Sequence, residues 1–116
     1  MVATDLDDVE ARLRRVLDRY RTELVDGTIY GAASLGWPGA KGHDYFAALK
    51  RASRHVGLYL VVADRWPEDV ALASPELRAC RTGRATWSFT SLDDELAAEL
   101  EALLDRLLVR YRAEHA

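Results

Sequence analysis

The hydrophobic side chains of this chain follow a helical period at both ends and a strand period between them. Near the N-terminus, apolar residues recur at steps of three and four, which places them on one face of a helix: Leu6, Val9, Leu13, Val16, Leu17, Tyr20 and Leu24. A second stripe of this kind runs over residues 92–111. Residues 84–90 alternate instead, and this pattern predicts a strand with Trp87 and Phe89 pointing inward.

Local signals predict where these elements begin and end. Thr4 is the predicted N-cap of the first helix, Asp26 and Gly27 its C-terminal stop, and Ser91 the predicted N-cap of the last helix. Strands are predicted at four segments, residues 28–35, 44–49, 55–62 and 84–90. The polar stretch between the second and third segments has the length of a hairpin loop, which predicts antiparallel pairing there.

The order of these elements predicts an α+β fold. The N- and C-terminal amphipathic helices are expected to pack on one face of a mostly antiparallel sheet of four to five strands, because both helices and the sheet must bury an apolar face. The length of 116 residues predicts a single domain, residues 1–116. The pattern does not alternate strand and helix, which disfavours a parallel nucleotide-binding sheet.

Charge and composition narrow the class of protein. The chain has 16 Lys+Arg against 19 Asp+Glu, and this acidic balance disfavours general nucleic-acid binding. Its apolar runs are too short to cross a bilayer, its first residues are acidic where a secretory signal is basic, and its single cysteine, Cys80, suits a reducing compartment. We therefore expect a cytoplasmic protein without membrane or nucleic-acid partners. The oligomeric state is open, because an edge strand could pair with a second copy.

The sequence favours a non-catalytic protein. Gly36, Gly39 and Gly42 do not match a phosphate-binding loop, no nucleophile motif occurs, and the three histidines lack metal-ligand spacing. Cys80 has arginines nearby that would favour a reactive thiolate. A free cysteine is more often a small buried apolar residue, and we favour that interpretation.

Three segments resemble successive blocks of the YdhG-like family of small bacterial domains: residues 45–50 (YFAALK), 55–59 (HVGLY) and 80–89 (CRTGRATWSF). Leu35 to Pro38 also resembles a turn of that family, with Leu35 in place of a Trp, and Arg81 and Arg84 stand where the family has lysines. The resemblance implies one YdhG-like domain with a frataxin-like arrangement of helix, sheet and helix. It also implies a cytosolic iron chaperone, with weakly bound iron as its cargo and iron–sulfur or haem assembly proteins as its partners.

The acidic starts of the two long helices are the candidate iron site. Carboxylate oxygens suit hard cations, and the candidate ligands are Asp5, Asp7, Asp8, Asp93, Asp94 and Glu95. Such a site needs the two helix N-termini to lie close together. The same carboxylates have a purely structural explanation, because acidic side chains stabilise the positive end of a helix dipole.

The alternative function is a binding module for a small anion or a partner protein. Aromatic residues and arginine are enriched at recognition surfaces, and the candidate residues are Trp37, Tyr59, Trp66, Arg81, Thr82, Gly83 and Arg84. The competing explanation is that these aromatic side chains belong to the core.

Overall fold

A computed structural model describes residues 5–40 and 44–115, and it confirms the α+β fold. Five strands form one antiparallel sheet in which each strand pairs with the next along the chain. They are β1 (Val25–Ile29), β2 (Ala32–Gly36), β3 (Tyr45–Arg51), β4 (Val56–Tyr59) and β5 (Thr86–Phe89). The helices are α1 (Leu6–Asp18), α2 (Val61–Arg65), α3 (Pro67–Val70), α4 (Pro75–Arg78) and α5 (Asp94–His115).

Both long helices are capped by an aspartate. The carboxylate of Asp5 accepts a hydrogen bond at 2.8 Å from the backbone N–H two residues further on, and Asp5 is the N-cap of α1. The predicted cap, Thr4, lies outside the described residues. Asp93 accepts a bond at 2.7 Å from the N–H of Leu96 at the start of α5. The prediction of Ser91 as that cap was wrong, because Asp93 stands directly before the helix.

The first helix ends earlier than its apolar stripe predicts. α1 ends at Asp18, and turns follow in which the N–H of Leu24 donates to the carbonyl of Tyr20 at 2.9 Å. Tyr20 and Leu24 are buried in the core, but they lie in these turns and not in the helix. The predicted stop at Asp26 and Gly27 was wrong, since both residues lie in β1.

The first predicted strand, residues 28–35, is a hairpin of two strands. Tyr30 and Gly31 connect β1 to β2 with φ angles of 50° and 76°. Two consecutive positive φ angles belong to the tight turn whose twist matches antiparallel strands. The single-strand prediction was wrong because this turn has a tyrosine where asparagine or aspartate is usual.

Antiparallel pairing across residues 50–54 is confirmed, with Arg51 of β3 opposite Val56 of β4. The strand predicted over residues 55–62 is shorter than expected, because β4 ends at Tyr59 and α2 begins two residues later. The apolar run continues through α2, where it fills the core as a short helix. Periodicity alone does not separate these two uses of a short apolar run.

A β-bulge in β3 decides which of its side chains enter the core. Leu35 of β2 lies opposite Ala47, and Gly36 lies opposite Tyr45, so Phe46 is the extra residue. Phe46 and Ala47 both belong to the buried core. Tyr45 is half-buried and lines a cavity on the other face of the sheet.

α1 and α5 run parallel to each other on one face of the sheet, here called the inner face. Arg12 of α1 pairs with Asp94 of α5 at 2.5 Å, and further along both segments Arg19 pairs with Glu101 at 3.2 Å. The paired residues therefore advance in the same direction along the two segments. α5 is the longest helix, yet no helix of the described residues is long and apolar enough to cross a membrane.

The core lies between these helices and the inner face. Trp87 and Phe89 of β5 point into it as predicted and are 0% and 1% exposed. The ring of Phe46 links α5 to the turns that follow α1, because it lies 5.6 Å from the ring of Tyr20 and 5.5 Å from that of Tyr111. Large buried rings of this kind dominate the energetics of a small core.

Candidate functional site

The opposite face of the sheet, here called the outer face, carries small side chains across its central strands. Ser34 of β2 lies opposite Ala48 of β3, which lies opposite Tyr59 of β4. In the neighbouring row, Lys50 lies opposite Gly57. Since α1 and α5 pack on the inner face, these small residues leave room above the outer face.

A cavity of about 300 Å³ lies on the outer face. We call it the tyrosine–lysine pocket, and its lining residues are Ile29, Tyr30, Ala32, Tyr45, Lys50 and Tyr59. Its residues come from the β1–β2 hairpin, from both ends of β3 and from the end of β4. The volume is at the lower end of the range of about 300–1,000 Å³ that is usual for ligand sites.

Lys50 supplies the single formal charge among the lining residues that the structure describes. Its Nζ donates to the carbonyl of Tyr30 at 3.5 Å, which is the long limit of a hydrogen bond. No salt bridge joins Lys50 to a carboxylate of the described residues, whereas Arg51, the next residue, pairs with Asp7 at 2.5 Å. The amine of Lys50 therefore keeps its capacity for an external anion.

Tyr30 stands at the rim of the pocket on a strained backbone. Its φ of 50° is the left-handed conformation, which costs a residue with a Cβ roughly 1–2 kcal/mol. The side chain is 75% exposed, so burial of its ring in the core does not offset this cost. Strained positions of this kind are characteristic of functional sites.

Tyr45 contributes a phenol group to the pocket that stays protonated at neutral pH. Burial raises the pKa of Tyr45, and the neighbouring hydroxyls of Tyr30 and Tyr59 raise it further. The phenol end of Tyr59 lies over Gly57, because a Cβ at position 57 would be 3.4 Å from the Tyr59 hydroxyl oxygen. The ring of Tyr59 thus follows the sheet surface and forms part of the pocket wall.

The acidic residues at the start of α1 are engaged or exposed. Asp5 caps the helix, Asp7 forms the salt bridge with Arg51, and Asp8 is exposed. The guanidinium of Arg51 also lies 3.5 Å from Glu10. A cation at this end of α1 would have to compete with Arg51 for the carboxylate of Asp7.

The acidic residues at the start of α5 lie at the same end of the helix layer, since α1 and α5 are parallel. Arg12 pairs with Asp94, and Asp93 caps α5. Asp93 and Glu95 also line a cavity of about 200 Å³ whose full lining is Ser74, Glu76, Asp93, Glu95, Leu96 and Glu99. In the described part of the chain, no three His, Cys, Asp or Glu residues are grouped so as to hold a metal ion. Iron binding stays a prediction.

The side chains of the predicted basic segment, residues 81–84, form hydrogen bonds within the segment and with β5. The guanidinium of Arg81 donates to the carbonyls of Gly83 and Arg84, at 3.1 Å from Nε in each case, and lies 5.7 Å from the centre of the Trp87 ring. The hydroxyl of Thr82 is 2.9 Å from that of Ser88 in β5. These contacts hold the segment against the edge of the sheet beside β5.

The other members of the predicted anion or partner surface lie apart. Trp37 follows β2 and stacks on His115 at 5.8 Å, while Arg81 lies beside β5, at least roughly 14 Å away across three strand spacings. Trp66 packs against the core from the end of α2. Of these predicted residues, Tyr59 is the one that lines the tyrosine–lysine pocket. The function of the basic segment stays a prediction.

Cys80 is a packed thiol. It is half-buried, its Sγ lies 3.5 Å from the carbonyl oxygen of Glu76, and burial raises the pKa of the thiol. A raised pKa keeps the group protonated at neutral pH, and the thiol is the less reactive form. The structure thus favours the packed role over a redox role.

The sequence pattern does not single out Tyr30, Lys50 or Tyr45 as pocket residues. It predicts a strand at Tyr30, although the glycine after it is a turn signal. It predicts a loop at Lys50, since the polarity of this residue ends an apolar run. Tyr45 belonged to a recognised strand, but the bulge that turns it to the outer face has no marker in the local sequence.

Comparison of the chain with protein-family models, with curated proteins and with solved structures gave no match. The resemblance to YdhG-like domains stays a prediction.

Proposed function

We propose that this protein is a non-catalytic binding module that holds a small molecule in the tyrosine–lysine pocket. The observation that carries the proposal is the pocket itself, a cavity of about 300 Å³ walled by three phenol rings and one amine. Largely apolar and aromatic walls with a few placed polar groups are the usual form of a small-molecule site. This is the small-ligand version of the binding module that the sequence offered as its alternative.

The lining residues support binding more than catalysis. The lining residues that the structure describes include no histidine, cysteine, serine or carboxylate, the groups that most often act as nucleophile or general base. The pKa of Tyr45 is raised, which makes its phenol a poor base at neutral pH.

The position of the pocket in the sequence also supports the proposal. Tyr45 and Lys50 belong to the first block that resembles YdhG-like domains, and Tyr59 ends the second. The β3–β4 pairing brings these two blocks side by side. Iron handling, which the same resemblance implies, would use the acidic helix starts instead, so mutations can separate the two functions.

A fragment screen read by thermal denaturation and by amide NMR tests the proposal. A ligand of the folded state raises the Tm as its concentration increases, and its NMR shifts should map to the β1–β2 turn, β3 and β4. Tyr59→Ala removes a wall of the pocket and should abolish the ligand-induced rise. Leu72→Ala, which removes an exposed apolar side chain between α3 and α4, should leave it unchanged. A screen in which no fragment shifts the pocket amides would contradict the proposal.

A further inference from the structure

The ligand of the tyrosine–lysine pocket, we infer, is a flat organic acid with one negative charge, an aromatic carboxylate of one or two rings. This inference rests on the proposed function, because it names the ligand class for the same pocket. The charge, the shape and the rim of the pocket each carry part of it.

The charge of the pocket calls for a single carboxylate. Lys50 contributes one amine, no carboxylate belongs to the described lining, and the amine forms no salt bridge with a described residue. A phosphate or a dianion is usually held by an arginine fork, several backbone N–H groups or a helix N-terminus. The lining residues that the structure describes include no arginine, so the single amine of Lys50 is matched to a ligand with one negative charge.

The shape of the pocket calls for a flat ring. Tyr45 and Tyr59 provide the aromatic walls, and Ala32 is a small residue in the lining. Aromatic rings associate in offset-stacked or edge-to-face geometry with centroids about 4.5–7 Å apart, so a flat ligand can use both walls. A cavity at the small end of the usual range limits the ligand to one or two rings.

The rim of the pocket couples the amine to an exposed ring. The carbonyl of Tyr30 accepts the hydrogen bond of Lys50, and the Tyr30 side chain stands beside it in solvent. Folding alone would favour asparagine or glycine at this left-handed position. The exposed ring of Tyr30 is part of the pocket lining, so we expect it to contact a bound ligand. The hydroxyl of Tyr45, which lines the pocket, can donate a hydrogen bond to the second carboxylate oxygen.

Three naphthalene derivatives test the ligand class, because they share one ring system and differ in charge. Naphthoate is an anion, naphthamide is neutral and naphthylmethylamine is a cation. Titration followed by amide NMR should show naphthoate binding at least about tenfold more tightly than the amide, since a charged hydrogen bond is worth about that factor or more. The cation should bind most weakly.

Two charge variants separate a specific contact from a general attraction. Lys50→Gln should lower the affinity for naphthoate at least about tenfold and leave naphthamide unchanged. Arg15→Gln removes the same charge from the exposed side of α1, on the other side of the sheet, and should change neither affinity.

The rim has its own test. Tyr30→Asn relieves the left-handed backbone, so it should raise the midpoint of urea denaturation while it weakens naphthoate binding severalfold. Tyr30→Phe keeps the ring and should preserve binding. A purely structural role for Tyr30 predicts no such opposite change in stability and affinity.

Three results would overturn the inference. The first is equal binding of the acid, the amide and the amine in the pocket, which would leave the proposed function standing with a different ligand class. The second is binding of naphthoate that Lys50→Gln does not weaken, and the third is the absence of binding by all three probes. If none of the three probes binds, the ligand class is wrong, and the fragment screen decides the proposed function separately.

Discussion

The Nε2 atom of His115, the last residue of α5, lies 2.6 Å from Oδ2 of Asp44, which directly precedes β3. The Nδ1 atom of the same ring is 2.8 Å from the carbonyl oxygen of Tyr111, so the charged imidazolium can donate on both sides. Arg65 bridges Asp44 and Glu114 from α2. These contacts fasten the end of α5 to the start of β3.

The contact predicts that stability falls as the pH rises through the titration of His115. Burial lowers the pKa of His115, but hydrogen bonds to the Tyr111 carbonyl and to Asp44 outweigh burial and raise it above its ordinary 6.5. The charged pair therefore contributes its full stabilisation below the pKa that His115 has in the unfolded chain. This stabilisation is lost as the pH rises through the pKa of His115 in the folded protein. Between about pH 5.5 and about pH 9, the free energy of unfolding measured in urea should fall by up to about 1 kcal/mol more in the wild type than in His115→Gln.

The same pair sets a limit on the acidic side. Burial raises the pKa of Asp44, but hydrogen bonds from His115 and Arg65 outweigh burial and hold it below its ordinary 3.8. The stabilisation from Asp44 is present above the pKa that this group has in the unfolded chain. It is lost as the pH falls through the pKa of Asp44 in the folded protein. His115→Gln with the same pH profile as the wild type would refute the role of this pair.

Removal of the hydroxyl group of Tyr111 should lower the stability of the protein measurably. Its hydroxyl accepts a hydrogen bond from the Trp37 N–H at 2.9 Å and donates to the Asp44 carbonyl at 2.7 Å. Tyr111→Phe leaves that N–H unpaired and should cost about 1–3 kcal/mol in urea denaturation. Tyr59→Phe is the matched control, since the Tyr59 hydroxyl forms no hydrogen bond with the described residues, and it should cost little. Equal losses for the two variants would argue against this explanation.

The thiol of Cys80 should be alkylated slowly in the native protein. Burial raises the pKa of its thiol, so little thiolate is present at neutral pH. Iodoacetamide should modify the folded protein several times more slowly than the protein in denaturant, as followed by mass spectrometry. A rate in the folded state above that of the denatured chain would instead indicate an activated cysteine.

The iron prediction can be tested through the arginine that competes with it. Arg51 holds Asp7, so Arg51→Gln should free that carboxylate and tighten Fe(II) binding severalfold in an anaerobic titration. Arg15→Gln is the control and should leave the affinity unchanged. An affinity that responds neither to Arg51→Gln nor to replacement of all five candidate aspartates by asparagine would rule out an iron site at the helix starts.

The sequence predicted the layers of this fold because long apolar periods are repeated over many residues. It was less informative where one residue decides the geometry. Tyr30 takes a left-handed φ that its side chain disfavours, so local preference indicated strand and the tertiary structure imposed a turn. The extra residue at Phe46 reverses the alternation in β3, so Tyr45 could not be assigned to a face in advance. The pocket depends on both of these exceptions, whereas Tyr59 lies in a regular strand and was found.

The parallel pairing of α1 and α5 has a consequence for how the protein is made. The hydroxyl of Tyr20 donates to Asp105 at 2.7 Å, a contact between residues 85 positions apart. At about 5–20 residues per second, α1 leaves the ribosome about 4–17 s before the part of α5 that covers it. During that interval Val9, Leu13 and Val16 lack part of their final cover. A nascent chain of this protein is therefore exposed to chaperones and to aggregation until α5 has been synthesised and can pack on α1.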